Sequence, residues 1–509
     1  MVASSVLMRF SEVADNDWSI HCAHNLSERD LIRWSGKDIA AAHASLRADD
    51  AGTFEGQQDL LQIWLGERGA FRNVSHRGWV AIGMQRERQQ GSARIVASGG
   101  HLHGGHPRRY GACWAALCEV GVRREVVGSA RGSVSFGFAG RIAVDQLVLP
   151  DYSGACISNI VPALLDGGAD EPAWMPEIAL DASQVVLLVL DGLGWEQLQE
   201  RRHLAPCLSS MTGGPITSVS PSTTATALTS IATGTPPGEH GVVGYRVAVN
   251  HDVLNILRWF TPGGDARVNY PPQEFQTIEP FCCQRPAMVT KAEFSTSAFS
   301  DAHLAGTRFR GYRVPSTMVV EIRRALKAGE PFVYAYYDGI DKVSHEYGLA
   351  EHFDAEIAAV DHLVSEIMSV LPQGACLMIT ADHGQVDVGD RIITPHADIL
   401  LNTSFQSGEG RFRWFHARPG RERDLLAAAE QHHSDVAWVR SKEQTIDELW
   451  WGPVVSNEAR SRLGDVALVA REPVSFHDPA DSGPFELIGR HGSLTSAEMY
   501  VPLLVGVSQ

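Results

Sequence analysis

Three apolar runs that end in aspartate constrain the fold of this chain more than any other feature. They read QVVLLVLDG (184–192), PFVYAYYDGID (331–341) and ACLMITADHG (375–384). Uninterrupted apolar runs of this length are typical of strands in a sheet that is covered on both faces. Between the last two lies DAEIAAVDHLVSEIMSVL (354–371), whose apolar residues recur at helical spacing. This alternation predicts an α/β fold with a doubly wound, mostly parallel sheet and helices on both faces.

The chain has two parts that differ in how often apolar runs occur. Residues 1–140 contain few apolar runs, and we predict a poorly defined N-terminal extension, with disorder and an over-extended gene start as open alternatives. Residues 141–509 are predicted to form the main α/β domain. Within it, the segments of about 246–325 and 392–485 interrupt the alternation of strands and helices. Each is long enough to be an inserted lid or subdomain.

Composition excludes several classes of function. The formal net charge of -17 argues against a nucleic-acid groove, because such grooves are basic. No run approaches the roughly 18 apolar residues of a membrane helix, and no basic segment that would begin a signal peptide precedes the apolar N-terminal patch. The eight cysteines are irregularly spaced, which favours reduced thiols and predicts a cytoplasmic location. The sequence leaves the oligomeric state open.

Histidines accompany the aspartates that end the apolar runs. Open α/β sheets bind ligands at the carboxyl ends of their strands, where three carboxylates would repel one another unless a cation were present. A mixture of carboxylate and imidazole ligands suits zinc, with manganese or iron as alternatives, better than magnesium or calcium. The candidate ligands are Asp191, Asp341, Asp382, His345, His383 and His491.

Two further groups are weaker candidates for metal ligation. Asp338 lies three residues before Asp341, but the Asp-x-x-x-His spacing favours Asp341, so Asp338 is interpreted as a turn residue or as a support for the ligands. The tract HLHGGHPRR offers His101, His103 and His106, yet no acidic or thiolate partner is spaced to complete a site. A surface segment is the favoured interpretation of that tract.

The stretch PSTTATALTSIATG (221–234) opens a predicted helix with hydroxyl residues, although threonine is a mediocre helix former. Ser222, Thr223 or Thr224 could cap the first turn by satisfying its free N–H groups. One of them could instead be a nucleophile, because a helix N-terminus is a favourable position for a phosphate. The stretch alone leaves both interpretations open.

Five motifs in a fixed order over about 184–507 carry a family resemblance. They are LVLDGLG, PSTTATALTSIATGTPPGEHGVVGY, DGIDKVSHEYG, TADHGQ and GRHGSLTSAEMYVPLLVG. Together they resemble the alkaline phosphatase superfamily, in its type I phosphodiesterase/nucleotide pyrophosphatase branch. The resemblance implies hydrolysis of phosphodiester or pyrophosphate bonds in a small-molecule phosphoester or nucleotide. A phosphomonoesterase, phosphonate hydrolase or phosphomutase of the same superfamily and a catalytically silent binding protein are the alternatives.

The resemblance also implies roles for individual residues. Two divalent ions are expected, most simply zinc, and a phospho-threonine intermediate is expected on Thr224, the last residue of a Pro-x-x-Thr motif. Thr223 and Ser222 are the alternative nucleophiles. One ion is expected on Asp191, Thr224, Asp382 and His383, and the other on Asp341, His345 and His491.

The sequence departs from this branch near the nucleophile. Nucleotide pyrophosphatases usually continue with Thr-Phe-Pro-Asn, whereas this chain has Thr224 followed by Ala-Thr-Ala. Their phosphate-binding Asn is replaced by Gly244 and Tyr245, so Tyr245 is predicted either to bind substrate through its hydroxyl or to pack in the interior. Arg246 is the only cation nearby in sequence, and these neutral surroundings predict a preference for diesters over monoesters. The absence of a Cys/Ser-x-Pro-x-Arg motif disfavours a sulfatase.

Overall fold

The computed structural model describes residues 147–166, 172–250, 252–481 and 486–508, together with the backbone of six short strands before residue 98. The chain separates into two units, Met1–Phe136 and Gly137–Gln509. The strands of the first unit form two antiparallel sheets. These are Leu7–Val13, Asp17–Ala23 and Ile32–Arg33, and then Arg72–Ser75, Gly78–Gln85 and Arg94–Ala97.

Two predictions for the N-terminal part are not tested by this structure. The histidine tract His101, His103 and His106 lies outside the described residues. The interpretation of residues 1–140 as a poorly defined extension stays a prediction, as does its boundary with residues 141–509.

A seven-stranded sheet forms the centre of the second unit. Its first five strands in spatial order are parallel, and the sixth runs antiparallel to both of its neighbours. The order is Arg308–Tyr312, Ala287–Lys291, Phe332–Tyr337, Gln184–Leu190, Ala375–Thr380, Tyr500–Val507 and Thr212–Thr217. This mixed, mostly parallel sheet with its helices confirms the predicted α/β class.

The three apolar runs become adjacent strands in the middle of this sheet. Phe332–Tyr337 pairs with Gln184–Leu190, which pairs with Ala375–Thr380 on its other side. Consecutive residues of a strand point to opposite faces, and residues 186–190 are all 0% exposed. Both faces of the sheet are therefore covered, as the unbroken apolar runs predicted.

The helices of the second unit are mostly short. The longest, Glu351–Ser369, begins soon after the helix Gly339–Tyr347, which follows a central strand directly. The others are Ile160–Leu165, Glu177–Leu180, Trp195–Glu200, Pro206–Ser210, Thr224–Thr233, Pro237–His240, Pro272–Phe275, Ala298–His303, Pro315–Lys327, Ala397–Asn402, Glu422–His433, Lys442–Asp447, Asn457–Arg462 and Ser496–Met499. None of the helices among the described residues has the length and apolarity needed to cross a membrane.

The segment of about 246–325, expected to be an insertion, divides into two parts. Its beginning forms a four-stranded antiparallel sheet of Arg246–Val249, Asp252–Asn255, Phe260–Thr261 and Gly264–Asp265. Residues 287–312 instead contribute two strands to the central sheet, which the sequence analysis did not anticipate. The outermost of them, Arg308–Tyr312, is largely exposed and carries two arginines, so it lacks the apolar run of a central strand.

The segment of about 392–485 forms a second antiparallel sheet with a hydrophobic core of its own. Its strands, in spatial order, are Thr403–Glu409, Phe412–Ala417, Val466–Ala470 and Ala437–Ser441. The helix Glu422–His433 packs on this sheet through Leu425 and Ala429, which are both 0% exposed. Two-stranded pairs join Val386–Asp387 to Gly489–Arg490 and Ile392–Ile393 to Ser475–Phe476.

The threonine helix, Thr224–Thr233, is buried along its whole length. Two of its interior hydroxyls are satisfied within the helix, since Thr229 donates to the Ala225 carbonyl and Thr233 donates to the Thr229 carbonyl, each at 2.7 Å. Gly234 ends the helix with φ 71°, a conformation that favours glycine. Internal hydrogen bonds therefore satisfy part of this polar helix, whereas the buried Thr226 hydroxyl has no hydrogen-bond partner among the described residues.

His240 links the end of this helix to the next turn. Its Nδ1 accepts the Val242 N–H at 3.1 Å, so the neutral ring carries its proton on Nε2, which lies 2.8 Å from the Ser230 hydroxyl. Burial, followed by the charge of Arg462, lowers the pKa of His240 to about 3. The folded protein thus holds this histidine neutral.

Acid should destabilise the fold partly through His240. The folded-state pKa lies below the unfolded value of about 6.5, so the unfolded chain binds an extra proton as the pH falls through 6.5, and stability is lost. In chelated protein, the unfolding free energy of the wild type should fall by about 2 kcal/mol more than that of His240→Gln between pH 6.5 and 5. Urea titrations measure this difference. Substitution of the exposed His362 is the control, and equal losses in wild type and His240→Gln would contradict the assignment.

Candidate metal centre

The carboxyl edge of the central sheet brings the three predicted aspartates together. Asp191 directly follows the strand Gln184–Leu190, and Asp382 follows Ala375–Thr380 after one residue. Asp341 lies in the first turn of the helix that follows the neighbouring strand. Its backbone N–H donates to the Asp191 carbonyl at 3.1 Å, so the two chain segments touch.

Asp191, Asp382 and His383 form the first candidate ligand group, in which one ligand atom from each residue lies within 4.8 Å of the others. His383 Nε2 is 3.4 Å from Asp191 Oδ1 and 3.4 Å from Asp382 Oδ2. Both of these oxygens are buried and lack a hydrogen-bond partner. Because unpaired buried carboxylate oxygens are strongly destabilising, this group fits a divalent cation.

The remaining oxygens of these two carboxylates are held by hydrogen bonds. The Tyr336 hydroxyl donates to Asp191 Oδ2. Asp382 Oδ1 accepts the N–H groups of Gly192 and His383, each at 3.1 Å. One oxygen of each carboxylate is therefore fixed by the protein, which aims the other at the centre of the group.

Asp341, His345 and His491 form the second candidate ligand group. Asp341 and His345 are one turn apart on the helix Gly339–Tyr347, and His345 Nε2 lies 3.3 Å from Asp341 Oδ1. His491 Nε2 approaches the same oxygen at 3.6 Å. Gln385 donates to that oxygen at 2.6 Å and so orients the carboxylate.

The three histidines share one orientation. In each, Nδ1 faces a backbone carbonyl, so the proton resides on Nδ1 and the lone pair of Nε2 faces the aspartates. The contacts are His383 to Gly384 at 3.0 Å, His345 to Gly489 at 2.7 Å and His491 to Ser222 at 3.0 Å. The His383 and His491 rings stack with centroids 3.5 Å apart, which brings the two groups side by side.

The electrostatics of the two groups also favour a cation. Burial, then the nearby charges of Asp382 and Asp341, raises the pKa of Asp191 well above its usual value. Burial, then His383 and His345, lowers the pKa of His491 well below its usual value. A divalent ion would reverse the first effect by stabilising the carboxylate, and it would bind the neutral imidazole that the second effect maintains.

Of the three predicted hydroxyls, only that of Thr224 faces the first group. Thr224 is the first residue of the threonine helix, and its Oγ1 lies 3.1 Å from His383 Nε2. Ser222 instead donates to the Ser493 carbonyl at 2.6 Å. Thr223 occupies the N-cap position without a capping hydrogen bond from its side chain.

Asp338 belongs to neither ligand group and is paired with two lysines. Lys291 Nζ lies 2.6 Å from one of its oxygens, and Lys342 Nζ lies 2.7 Å from the other. Its carboxylate is thus neutralised by two ammonium groups, and its interpretation as a turn residue or as a support for the ligands stays a prediction.

The surroundings of Tyr245 and Arg246 bear on substrate binding. The half-buried Tyr245 hydroxyl accepts a hydrogen bond from Asn255 at 2.6 Å, and burial raises its pKa. Arg246 is buried, with Asp478 at 2.6 Å and Asp481 at 3.7 Å from its guanidinium. The one cation near this position in sequence is therefore neutralised by carboxylates.

Sequence reasoning missed Glu409, a buried carboxyl beside the start of the threonine helix. A Cβ placed on Gly492 would lie 2.6 Å from Glu409 Cδ, so only glycine fits there, with φ 118°. Burial raises the pKa of Glu409 well above its usual value, while a hydrogen bond from Thr223 opposes this. No motif marks Glu409. Tyr336 and Gln385, by contrast, lie next to predicted motifs and could have been suspected from their position.

Residues 185–254 and 249–494, more than half of the chain, match the sequence model of the family described as type I phosphodiesterase/nucleotide pyrophosphatase. The chain belongs to this family. Membership of the type I phosphodiesterase family confirms the resemblance predicted from the motifs and identifies the chain as a phosphoric ester hydrolase. Comparison with curated protein sequences returned no match.

Solved structures similar to this family member include two ectonucleotide pyrophosphatases. The murine ectonucleotide pyrophosphatase/phosphodiesterase 5 is 16% identical, with a TM-score of 0.49, and the match covers 64% of this chain and 88% of that one. The human protein gives 17% identity with the same TM-score and coverage. Phosphonoacetate hydrolase from Sinorhizobium meliloti 1021, in complex with phosphonoformate, gives 17% identity, a TM-score of 0.46 and coverages of 65% and 91%.

Proposed function

We propose that this chain hydrolyses phosphodiester or pyrophosphate bonds of small molecules, nucleotides among them, with Thr224 as the nucleophile. The observation that carries the proposal is the position of the Thr224 hydroxyl, 3.1 Å from His383 in a buried group with two unpaired carboxylate oxygens. A nucleophile at a helix N-terminus can also use free backbone N–H groups to bind phosphoryl oxygens.

Two divalent ions, most simply zinc, fit the two ligand groups. Asp191, Thr224, Asp382 and His383 would hold one ion, and Asp341, His345 and His491 would hold the other. When bound, such ions neutralise phosphoryl charge and favour the deprotonated forms of the attacking hydroxyl and of water. Carboxylate and imidazole donors support zinc, with manganese or iron as the alternatives.

The residues of the chain would act in two displacements. Thr224 gives its hydroxyl proton to solvent, its Oγ1 bonds to phosphorus, and the bond between phosphorus and the ester oxygen breaks, so that this oxygen leaves with the electron pair. The oxygen of a water molecule then bonds to phosphorus, the bond to Thr224 breaks, and one proton of that water restores the threonine hydroxyl while the other passes to solvent. Tyr336 and the N–H groups of Gly192 and His383 keep the carboxylates in place throughout.

A substrate panel tests the proposal directly. Bis-nitrophenyl phosphate, mono-nitrophenyl phosphate and a phosphonate should be compared with and without added zinc, with Thr224→Ala as the blank. We expect diester hydrolysis that depends on both Thr224 and the metal. Turnover of the phosphonate alone would favour the phosphonate hydrolase alternative, and no turnover of any substrate would favour the silent binding protein.

Diesters should be hydrolysed at least about tenfold faster than monoesters, a difference of roughly 1.4 kcal/mol in the barrier. A monoester carries a second negative charge, and Arg246, the nearby cation, is already paired with Asp478. Values of kcat/KM for the two nitrophenyl esters measure the ratio. Tyr245→Phe should lower diester turnover modestly if the hydroxyl binds substrate, and a preference for monoesters would contradict this account of the pocket.

We also propose that the catalytic unit functions without residues 1–140. A chain that starts near Ile142 should fold and keep the turnover of the full chain, because all candidate site residues lie in the second unit. Circular dichroism compares the folding of the shortened and full chains, and kcat compares their turnover. An insoluble or inactive shortened chain would establish the N-terminal part as necessary.

A further inference from the structure

A third group of metal-ligand side chains lies apart from the candidate metal centre. His396, Asp398 and His432 each offer one ligand atom, and these atoms lie within 4.8 Å of one another. The side chains are 44%, 59% and 21% exposed, respectively, so the group is open to solvent. None of these residues belongs to the two catalytic ligand groups, and no motif in the sequence pointed to them.

Two helices fix the spacing of this group. His396 is the N-cap of the helix Ala397–Asn402, and its Nδ1 accepts the Asp398 N–H at 3.2 Å. His432 lies in the last turn of the helix Glu422–His433. The backbone N–H of His396 donates to the buried His433 Nε2 at 3.2 Å, which ties the start of one helix to the end of the other.

The distances within the group match those of zinc ligands. Asp398 Oδ2 lies 3.1 Å from His432 Nε2 and 3.3 Å from His396 Nδ1. Ligands placed 2.0–2.1 Å from a tetrahedral zinc are separated from one another by about 3.3 Å. The two rings now stack with centroids 3.5 Å apart. To bind an ion, the rings would have to turn until both lone pairs face it, and His396 Nδ1 would have to release the Asp398 N–H that it now accepts.

We propose that His396, Asp398 and His432 form a surface site for a zinc-class divalent cation that links these two helices. Two imidazoles and one carboxylate leave a fourth tetrahedral position for water. An ion that binds only the folded state stabilises the protein in proportion to its occupancy, so the site would reinforce the inserted sheet that these helices flank. Without the ion, an exposed pair such as His432 and Asp398 contributes little to stability.

Zinc binding by the full-length, metal-loaded protein tests the proposal. Equilibrium dialysis at a fixed micromolar concentration of free zinc, followed by elemental analysis, should give about one ion per chain fewer in His432→Gln and in Asp398→Asn than in the wild type. Diester turnover should be unchanged in both variants. Two substitutions at different ligands keep the result interpretable if one of them impairs folding.

His362→Gln is the matched control. His362 is an exposed helical histidine 3.7 Å from Glu366, a single imidazole beside a carboxylate, and its loss should leave the zinc content unchanged. Zinc should also raise the melting temperature of the wild type and His362→Gln more than that of His432→Gln. Equal zinc uptake by wild type, His432→Gln and Asp398→Asn would overturn the proposal. A loss of zinc accompanied by a loss of turnover would also overturn it, because the missing ion would then belong to the catalytic centre.

Discussion

Replacement of Thr224 by alanine should lower kcat by about a thousandfold or more, roughly 4 kcal/mol of barrier, because it removes the oxygen that we propose attacks phosphorus. The alanine side chain fits the helix start, and Asp191, Asp382 and His383 keep their hydrogen bonds to other residues. The fold and most of the metal binding should therefore survive. Steady-state kinetics with a diester substrate, together with the metal content of the variant, measure both effects.

Thr223→Ala is the matched control for this substitution. Thr223 precedes the helix and makes no capping hydrogen bond with its side chain, so its loss should reduce kcat far less. Its contact with Glu409 predicts a small effect on stability rather than on chemistry. A large effect at Thr223 and a small one at Thr224 would show that the nucleophile is the neighbouring residue.

Removal of divalent ions should abolish activity, and zinc should restore it. The purified protein is expected to hold about two zinc-like ions in the catalytic groups, because each group offers carboxylate and imidazole donors with oriented lone pairs. His345→Ala and His491→Ala should each weaken binding of the ion expected beside Asp341. Elemental analysis and activity titrations with zinc after chelation measure these changes.

Substitution of His240 is the control, because it also replaces a buried histidine, but one that lies outside the ligand groups. His240 is buried and hydrogen-bonded to Val242 and Ser230, so its replacement should alter stability while leaving the zinc dependence of turnover unchanged. Full activity in a preparation free of divalent ions would contradict the two-ion account.

The central part of the fold could be predicted from the sequence because its strands are buried on both faces. Burial on both faces requires apolar residues at successive positions, so these strands are unbroken apolar runs in the sequence. They are Phe332–Tyr337, Gln184–Leu190 and Ala375–Thr380. The edge strands Arg308–Tyr312 and Thr212–Thr217 are largely exposed and contain arginine, glycine or proline. Side chains that face solvent need not be apolar, so the sequence of these two strands shows no apolar run.

The site residues that could be predicted are those that lie at the ends of strands or at the starts of helices. Parallel strands carry their carboxyl ends to one edge, so Asp191 and Asp382 were expected to meet there, and the structure places both in one group. The supporting contacts could not be predicted, because they join distant segments. Arg246 and Asp478 are 232 residues apart in sequence, and nothing in either local pattern indicates that they pair.

If Thr224 carries the phosphoryl group between the two proposed displacements, acid quenching during turnover of a diester substrate should trap that group on the protein. Mass spectrometry of the peptide that spans Thr224 should show the added mass of the substrate's phosphoryl group in a fraction of the molecules, with fragment ions that place it on Thr224. The Thr224→Ala variant should show no added mass on this peptide. An active protein whose Thr224 stays unmodified while the modification lies on another residue would contradict the account.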